Sequence, residues 1–218
     1  MTSPPTRQIS FFAVMGVIFA AVAVIGFAPN SVAILTGAKA NPPLLIHIHA
    51  AAMSAWMMLV ATQAWLMGTG KSQAHMKLGI TALFLAPLVF TLMLVIALPQ
   101  IKAGFAEPMT FLIQTKRLLV YGVCITLALI WRKSRPDSHK RLIFLGTFAV
   151  LDAAFFRMGW LLPGLDLENR IALAHAYQLL LLVPFVAYDL HKLGRVHPVF
   201  LVGIPVIVGF EAAAALLR

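Results

Sequence analysis

The chain has 218 residues, of which 61% are hydrophobic and 11% are charged, and its mean hydropathy is +0.92. This composition excludes an ordinary soluble domain, because a fold of this size could not bury so much apolar surface. The formal net charge of +10 does not indicate nucleic-acid binding, since the basic residues lie mostly in short loops between apolar runs. Cys124 is the only cysteine, which excludes an internal disulfide and a cysteine metal cluster.

Apolar runs about 20 residues long recur along the chain, which is the length a helix needs to cross about 30 Å of hydrocarbon. We therefore predict an all-α polytopic transmembrane bundle of about seven spans, forming a single domain over residues 1–218. The first run is longer than the apolar core of a signal peptide, so we interpret it as a retained span. In chain order the predicted spans are 9–28, 44–67, 78–101, 109–131, 141–162, 170–190 and 198–217.

Lys and Arg residues are unevenly divided between the two sets of predicted loops. Because cytoplasmic loops retain the excess of positive charge, the distribution predicts a cytoplasmic N-terminus and a C-terminus outside. Ten basic residues lie on the predicted cytoplasmic side, namely Arg7, Lys71, Lys77, Arg132, Lys133, Arg135, Lys140, Arg141, Lys192 and Arg195. The four on the outer side are Lys39, Lys102, Arg170 and Arg218.

Eight ionisable residues on five predicted spans share one depth, roughly 5 to 15 Å below the outer surface at about 1.5 Å of rise per residue. A charged side chain in hydrocarbon costs roughly 2.5 to 3.5 kcal/mol, so we expect these residues to face the bundle interior and to pair. The eight are His47, His49, Lys116, Arg117, Asp152, Arg157, His175 and Glu211.

Lys116, Arg117 and Arg157 exceed the two acids of this layer by one positive charge. We therefore predict that the three basic residues bind an anionic group of a cofactor or substrate, such as a carboxylate, a phosphate or a haem propionate. Asp152 and Glu211 are predicted to be catalytic, as proton acceptors or as further ligands. In the alternative interpretation, Lys116 and Arg117 begin a shorter helix and reach the outer headgroups, and the remaining charges form structural ion pairs.

His49 and His175 enter from different helices at similar depth, as two axial ligands of a b-type haem must. Together with His47 and a carboxylate, they would equally suit a Zn, Cu or Fe site. His47 can share a site with His49 only if the helix begins irregularly after Pro43, because residues two apart point about 160° from each other. The alternative for each histidine is a hydrogen-bonded contact between helices.

Two further patterns support an interior site. In the seventh span, Gly203, Pro205 and Gly209 are expected to interrupt the helix before Glu211, and such breaks commonly line a cavity. The second span carries one stripe at helical spacing, formed by His49, Met53, Trp56, Val60, Gln63 and Met67.

A second histidine set lies at the predicted cytoplasmic face, surrounded by Lys and Arg residues. We interpret these side chains as helix-end anchors that contact anionic headgroups. The alternative is a second haem or metal site at that surface. The set consists of His75, His139, His191 and His197.

Several short motifs resemble those of a group of uncharacterised bacterial multi-pass inner-membrane proteins. The resemblance covers roughly residues 45–160 and implies a location in the bacterial inner membrane. It rests on His49, Trp56 and Gln63, on His75-Met76-Lys77-Leu78-Gly79, on His139-Lys140-Arg141-Leu142 and on Leu151-Asp152-Ala153-Ala154-Phe155-Phe156-Arg157.

The order His49, Met53, Trp56 is similar to that of cytochrome b561-like proteins, in which such a histidine binds haem. The leading hypothesis is thus a haem- or metal-binding redox protein, an oxidoreductase or electron-transfer protein, with a quinone as a partner that would suit it. The second is a metal-dependent hydrolase of a lipid-like substrate. The third is a carrier or receptor for a small anion.

Overall fold

The structure is a computed structural model, and it describes residues 10–102, 108–161, 164 and 166–217. The described residues form ten α-helices and one 3₁₀ turn, Met158–Leu161, without a β-strand among them. The helices are α1 Phe11–Leu35, α2 Leu44–Gly68, α3 Ser72–Gly79, α4 Ala82–Lys102, α5 Pro108–Trp131, α6 Pro136–Phe148, α7 Asp152–Arg157, α8 Leu167–Leu180, α9 Val183–Leu193 and α10 Pro198–Leu216.

Six segments of the described chain are long and apolar enough to cross a membrane. The prediction of an all-α, multi-pass membrane protein is therefore confirmed, whereas seven spans and the orientation of the termini stay predictions. We call the end of the bundle at which α2 begins the outer end, following the predicted orientation. The six segments are Phe11–Leu35, Leu44–Gly68, Ala82–Lys102, Pro108–Trp131, Asn169–Leu193 and Pro198–Leu216.

The predicted fifth span is a broken helix, which is why it is not among the six. Helix α6 ends at Phe148, three buried residues follow, and α7 begins at Asp152. At the break the backbone bonds tighten to the i to i+3 pattern, in which the N–H of Val150 donates to the carbonyl oxygen of Thr147 at 3.3 Å and that of Leu151 to the carbonyl oxygen of Phe148 at 3.0 Å. The buried Gln178 amide of α8 donates to the carbonyl oxygen of Phe148 at 3.0 Å, so a side chain from another helix stabilises the break.

The interruption predicted in the seventh span is wrong. Helix α10 continues from Pro198 to Leu216 with Pro205 inside it, because a transmembrane helix tolerates a proline where its neighbours satisfy the freed backbone groups. Gly203 has a packing role, since a Cβ atom there would overlap the side chain of Leu145 on α6. The glycine thus permits the close approach of α10 to α6.

Small residues also hold α1 against its neighbours. A Cβ atom on Gly26 would lie 2.5 Å from the carbonyl oxygen of Ala154 on α7, and one on Gly16 would lie 3.0 Å from the Cα of Ala61 on α2. Close contact between backbones is the usual way in which helices associate in lipid, where the hydrophobic effect does not drive association. The first contact fixes the short helix α7, which carries Asp152.

The central part of the α2 stripe faces the interior, as predicted. Trp56 is 1% exposed, Val60 is buried, and the Trp56 indole N–H donates to the Thr147 hydroxyl of α6 at 3.1 Å. The Trp56 ring also meets Tyr121 of α5 edge-on, with ring centroids 5.6 Å apart. Helix α2 is thereby fixed in rotation, with His49 near one end of its buried face and Gln63 near the other.

Candidate functional site

Lys116 lies at the centre of a buried ion network that joins three helices. Its side chain, on α5, is 1% exposed. The Nζ atom lies 2.8 Å from Oδ2 of Asp152 on α7 and also contacts Oε1 of Glu211 on α10. One ammonium group is therefore shared by two carboxylates that come from different parts of the chain.

Asp152 in turn binds two cations. Nε of Arg117 donates to its Oδ1 at 2.8 Å and to its Oδ2 at 3.0 Å. The backbone N–H of Ala153 also donates to Oδ1, at 2.7 Å. Because Asp152 is the first residue of α7, its negative charge lies where the partial positive charge of a helix N-terminus stabilises it.

Glu211 connects the network to a fourth helix. Its Oε2 lies 3.0 Å from Nδ1 of His175 on α8, and the histidine side chain is 14% exposed. The contacts thus form a continuous path between two partly exposed ends. It runs from Arg117 through Asp152, Lys116 and Glu211 to His175. We call these five residues the outer ion network.

The charges of the outer ion network cancel. Lys116 and Arg117 carry two positive charges, and Asp152 and Glu211 carry two negative ones. A charged group that is removed from water destabilises the fold unless a group of opposite charge lies beside it. Any added charge, from a proton or from a ligand, therefore changes the balance of the whole network.

Two glutamines extend the network towards α4, and the sequence reasoning missed both. Arg117 Nη1 donates to Oε1 of Gln114 at 3.2 Å, and the amide N–H of Gln114 donates to Oε1 of Gln100 at 2.6 Å. Gln114 precedes Arg117 by three residues, so the two side chains share one face of α5. The three-residue spacing in the sequence could have indicated that Gln114 contacts Arg117.

Arg157 lies at the edge of the network and carries the predicted surplus charge. Its guanidinium donates to the carbonyl oxygen of Ala153 at 2.8 Å and lies 4.6 Å from the ring centroid of Phe27. It interacts electrostatically with Arg117, Asp152 and His49. Among the described residues it makes no ion pair with a carboxylate within 4.0 Å.

The predicted histidine ligands His47 and His49 make different contacts. His49 is partly buried, and its Nδ1 has no hydrogen-bond partner within the described part of the chain. His47 is exposed, and its Nε2 lies 2.8 Å from Oδ1 of Asn41. No group of three or more His, Cys, Asp or Glu side chains among the described residues is arranged to hold a metal ion.

No family model, curated protein or solved structure matches this chain. The resemblances to bacterial multi-pass proteins and to cytochrome b561-like proteins therefore stay predictions.

A second buried ion pair lies at the inner end. Arg141 of α6 is 1% exposed and Asp189 of α9 is 0% exposed, and Nε of the arginine donates to Oδ1 of the aspartate at 3.0 Å. The backbone N–H of His197 donates to the other carboxylate oxygen at 3.0 Å. The pair joins α6 and α9 to the start of α10, and the sequence reasoning assigned Arg141 to a loop and did not use Asp189.

Proposed function

We propose that the protein is a proton-coupled membrane carrier for a small organic anion, with the outer ion network as its binding and coupling site. The observation that carries the proposal is the position of Lys116, which is buried between carboxylates from two other helices. Ionisable residues inside a membrane bundle mark the paths of protons, ions or substrates in most membrane proteins that contain them.

Charge balance supplies the coupling. An anionic ligand drawn in by Arg157 would compete with Asp152 and Glu211 for the neighbouring cations. A carboxylate that loses its cation in a buried site is strongly destabilised unless it takes up a proton. Binding of one anion is then accompanied by uptake of one proton, most directly through His175 and Glu211, which lie at the less buried end.

A break in the helix beside the site supports a moving carrier. Helices α6 and α7 are separated at residues 149–151. Transporters commonly bind substrates at discontinuous helices, whose halves can move relative to each other. Asp152 begins one of these half-helices, so a movement of α7 would change its contacts with Lys116 and Arg117.

A cavity beside the site favours an organic anion over an inorganic one. It has a volume of about 450 Å³ and lies against α7 and α8, the helices that carry Asp152 and His175. Its wall is mostly apolar, which would suit the hydrocarbon part of a ligand, and its charged lining residue is Arg170, whereas the five residues of the outer ion network are not among those that line it. Lining residues include Val22, Phe155, Met158, Arg170, Leu173, Tyr177 and Leu181.

We further propose a location in the bacterial inner membrane with seven spans, the broken segment α6–α7 being the fifth. The N-terminus would be cytoplasmic and the C-terminus outside, in agreement with the excess of basic residues on one side. The outer ion network would then open towards the periplasmic face.

Binding is the first test. Purified protein is screened with organic carboxylates, sulfonates and phosphates, and the thermal unfolding midpoint is recorded for each. A ligand present at 100 times its Kd stabilises the folded state by about 2.7 kcal/mol, so a true ligand raises the midpoint clearly. Lys116→Gln is expected to abolish the increase, whereas Lys102→Gln, a change of the same type at an exposed helix end, should retain it. Equal responses in the two variants would contradict the proposal.

The second candidate is the redox protein with haem or a transition metal. One observation favours it, namely the contact of His175 Nδ1 with the Glu211 carboxylate. Histidines that bind metals usually have a carboxylate or a carbonyl beside the other ring nitrogen, and Glu211 lies in that position relative to Nδ1 of His175. The test is an absorption spectrum with metal analysis. A Soret band that persists in both His49→Ala and His175→Ala would exclude these residues as axial ligands.

A further inference from the structure

A groove with a volume of about 1040 Å³ lies between α4 and α5. Its wall is formed mostly by apolar side chains, and several of these are exposed at the surface of the bundle, namely Leu83, Leu119, Val123 and Ile130. In a bilayer such a surface faces hydrocarbon chains, because no water is present in the core of the membrane. The groove is therefore a place for the apolar part of a membrane component.

The inner half of the groove has the length of one leaflet. Helix α4 begins and α5 ends at the inner end, because α2 ends there and the short helix α3 connects α2 to α4. The Phe90 ring of α4 packs against Gly122 of α5, where a Cβ atom would lie 2.9 Å from it. Arg132 follows Gly122 by ten residues, which corresponds to about 15 Å of rise towards the inner end. Half of the roughly 30 Å hydrocarbon core is also about 15 Å, so one acyl chain fits this section.

The inner end of the groove is positively charged. Arg132 is one of the residues that line the groove, and it is exposed. Its Nη1 donates to the carbonyl oxygen of Leu129 at 2.6 Å, which holds the guanidinium at the last turn of α5. Among the described residues no carboxylate lies within 4.0 Å of this guanidinium. Its other N–H groups can therefore donate to a negatively charged acceptor.

The segment that follows α5 adds to this positive charge. Lys133 and Arg135 are both exposed. Asp137 is the only acid between residues 131 and 141, and its Oδ1 lies 2.5 Å from Nζ of Lys140. Clusters of basic residues directly beside a transmembrane helix attract the headgroups of anionic lipids. The charge at the inner end of the groove thus complements a lipid phosphate.

Charge also argues against a second copy of the chain as the occupant of the groove. Two copies with the same orientation in a membrane are related by an axis along the membrane normal, and a symmetric contact then uses the same surface of both. The exposed cations Arg132, Lys133 and Arg135 of the two copies would lie at the same depth on the two sides of that contact. Like charges placed opposite each other disfavour an interface, whereas an anionic lipid neutralises them.

We propose that the inner half of the α4–α5 groove binds one anionic phospholipid, with its phosphate at Arg132 and one acyl chain between α4 and α5 as far as Phe90 and Gly122. The apolar wall holds the chain, and the guanidinium selects a headgroup of negative charge. The inference does not depend on the proposed carrier function, since none of the residues that carry it belongs to the outer ion network.

The test is a lipid titration of the full chain in a neutral detergent, followed by native mass spectrometry. Phosphatidylglycerol is expected to bind as one tightly held molecule, and phosphatidylcholine, which has no net charge, more weakly. Arg132→Gln should lower the affinity for phosphatidylglycerol about fivefold, as expected for one basic residue near an anionic surface. Arg195→Gln, the same change at an exposed inner-end residue outside the groove, should bind as the unchanged protein does. Equal affinities in the two variants, or for the two lipids, would overturn the proposal.

A second pair of variants separates binding of the acyl chain from attraction of the headgroup. Val123→Trp fills the groove and leaves the basic residues in place, so it should abolish tight binding. Val202→Trp, at an exposed residue of α10 outside the groove, is the matched control and should retain it. Glycerol phosphate, the headgroup without its chains, should not displace the lipid. Displacement by glycerol phosphate would overturn the proposal, as would a dimer that Val123→Trp dissociates, because a second copy would then cover the groove.

A third measurement uses the unchanged protein and so does not depend on the folding of any variant. Phosphatidylglycerol with a photoreactive diazirine at the end of one acyl chain is added in equimolar amount, and the labelled peptides are identified by mass spectrometry after illumination. Labels are expected around Phe90 and Gly122. Labelling that is spread evenly over the lipid-facing helices would overturn the proposal.

Discussion

Lys116 and Asp152 are 36 residues apart in the chain, yet their charged atoms lie 2.8 Å apart and their side chains are only 1% and 3% exposed. Neither group has access to bulk water, so each depends on the other and on the further members of the outer ion network. A network of this kind contributes modestly when complete, but it is costly when one member is removed.

Removing Lys116 alone should therefore destabilise the protein strongly. Lys116→Met leaves Glu211 with His175 as its only ion partner in the network, and we expect the free energy of unfolding to fall by about 3 to 5 kcal/mol. Lys116→Met combined with Glu211→Leu should cost less than the two single changes added together. Unfolding in mixed detergent micelles measures all three variants, and additive effects would mean that the two residues do not interact.

The amide of Gln178 should stabilise the break between α6 and α7. Gln178→Leu removes the side-chain donor to the Phe148 carbonyl, which still accepts from the backbone N–H of Leu151, so we expect the loss of this one hydrogen bond to cost about 0.5 to 1.5 kcal/mol. Gln73→Leu is the matched control, because Gln73 is exposed on α3. The thermal unfolding midpoint of both variants checks the prediction, and an unchanged midpoint in Gln178→Leu would show that the bond does not stabilise the break.

Gly26 should not tolerate a larger residue. In Gly26→Ala the new Cβ atom would meet the backbone of Ala154 at 2.5 Å, so α1 has to move away from α7 and the position of Asp152 changes. We expect a lower unfolding midpoint together with weaker anion binding. Gly209→Ala, a change inside α10 with no atom within 4 Å of the new Cβ, should be neutral or stabilising by up to about 1 kcal/mol. Equal behaviour of the two variants would contradict the close contact.

The start of α10 should make stability depend on pH. His197 Nδ1 accepts the backbone N–H of Val199 at 3.2 Å, which requires an unprotonated ring nitrogen. Partial burial lowers the pKa of His197 below its usual value, and the positive charges of Arg141 and Lys140 lower it further. The negative charges of Asp189 and Asp137 raise the pKa, but by less. The unfolded chain then binds more protons than the folded one as pH falls through about 6.5.

The resulting stability is present above about pH 6.5 and is lost as the pH falls towards the lower folded-state pKa. His197→Asn keeps a capping oxygen that does not titrate, so its unfolding midpoint should decline less between pH 7.5 and 5 than that of the unchanged protein. His191→Asn serves as the control and should follow the unchanged protein. A parallel decline in all three proteins would exclude His197 as a source of the pH dependence.

Composition and run length were sufficient to predict the all-helical membrane fold, because the length of an apolar run is set by the thickness of the bilayer. They did not predict the break at residues 149–151, since Ala149, Val150 and Leu151 are as apolar as a continuous span. At the break the Phe148 carbonyl oxygen accepts from Gln178, a residue 30 positions away. A tertiary contact of that kind leaves no local pattern in the sequence.

The site, too, was predicted only in part from the sequence. Depth along the helices selected all five residues of the outer ion network, because charged residues in lipid must pair. Depth does not determine rotation about the helix axis, however, and His47 shares the layer but contacts Asn41. Asp189 was missed because its partner Arg141, near the inner end of a predicted span, was read as a loop residue.

The coupling of anion and proton movement is the central claim, and it is tested most directly by measuring both in the same vesicles. Protein is reconstituted with a pH-sensitive dye inside, and the anion that stabilises it most is supplied in radiolabelled form with an inward proton gradient. We predict that anion and protons enter together in a fixed ratio, and that Glu211→Gln still binds the anion but no longer couples the two fluxes. Anion entry that is independent of the proton gradient, or an unchanged ratio in Glu211→Gln, would contradict the account.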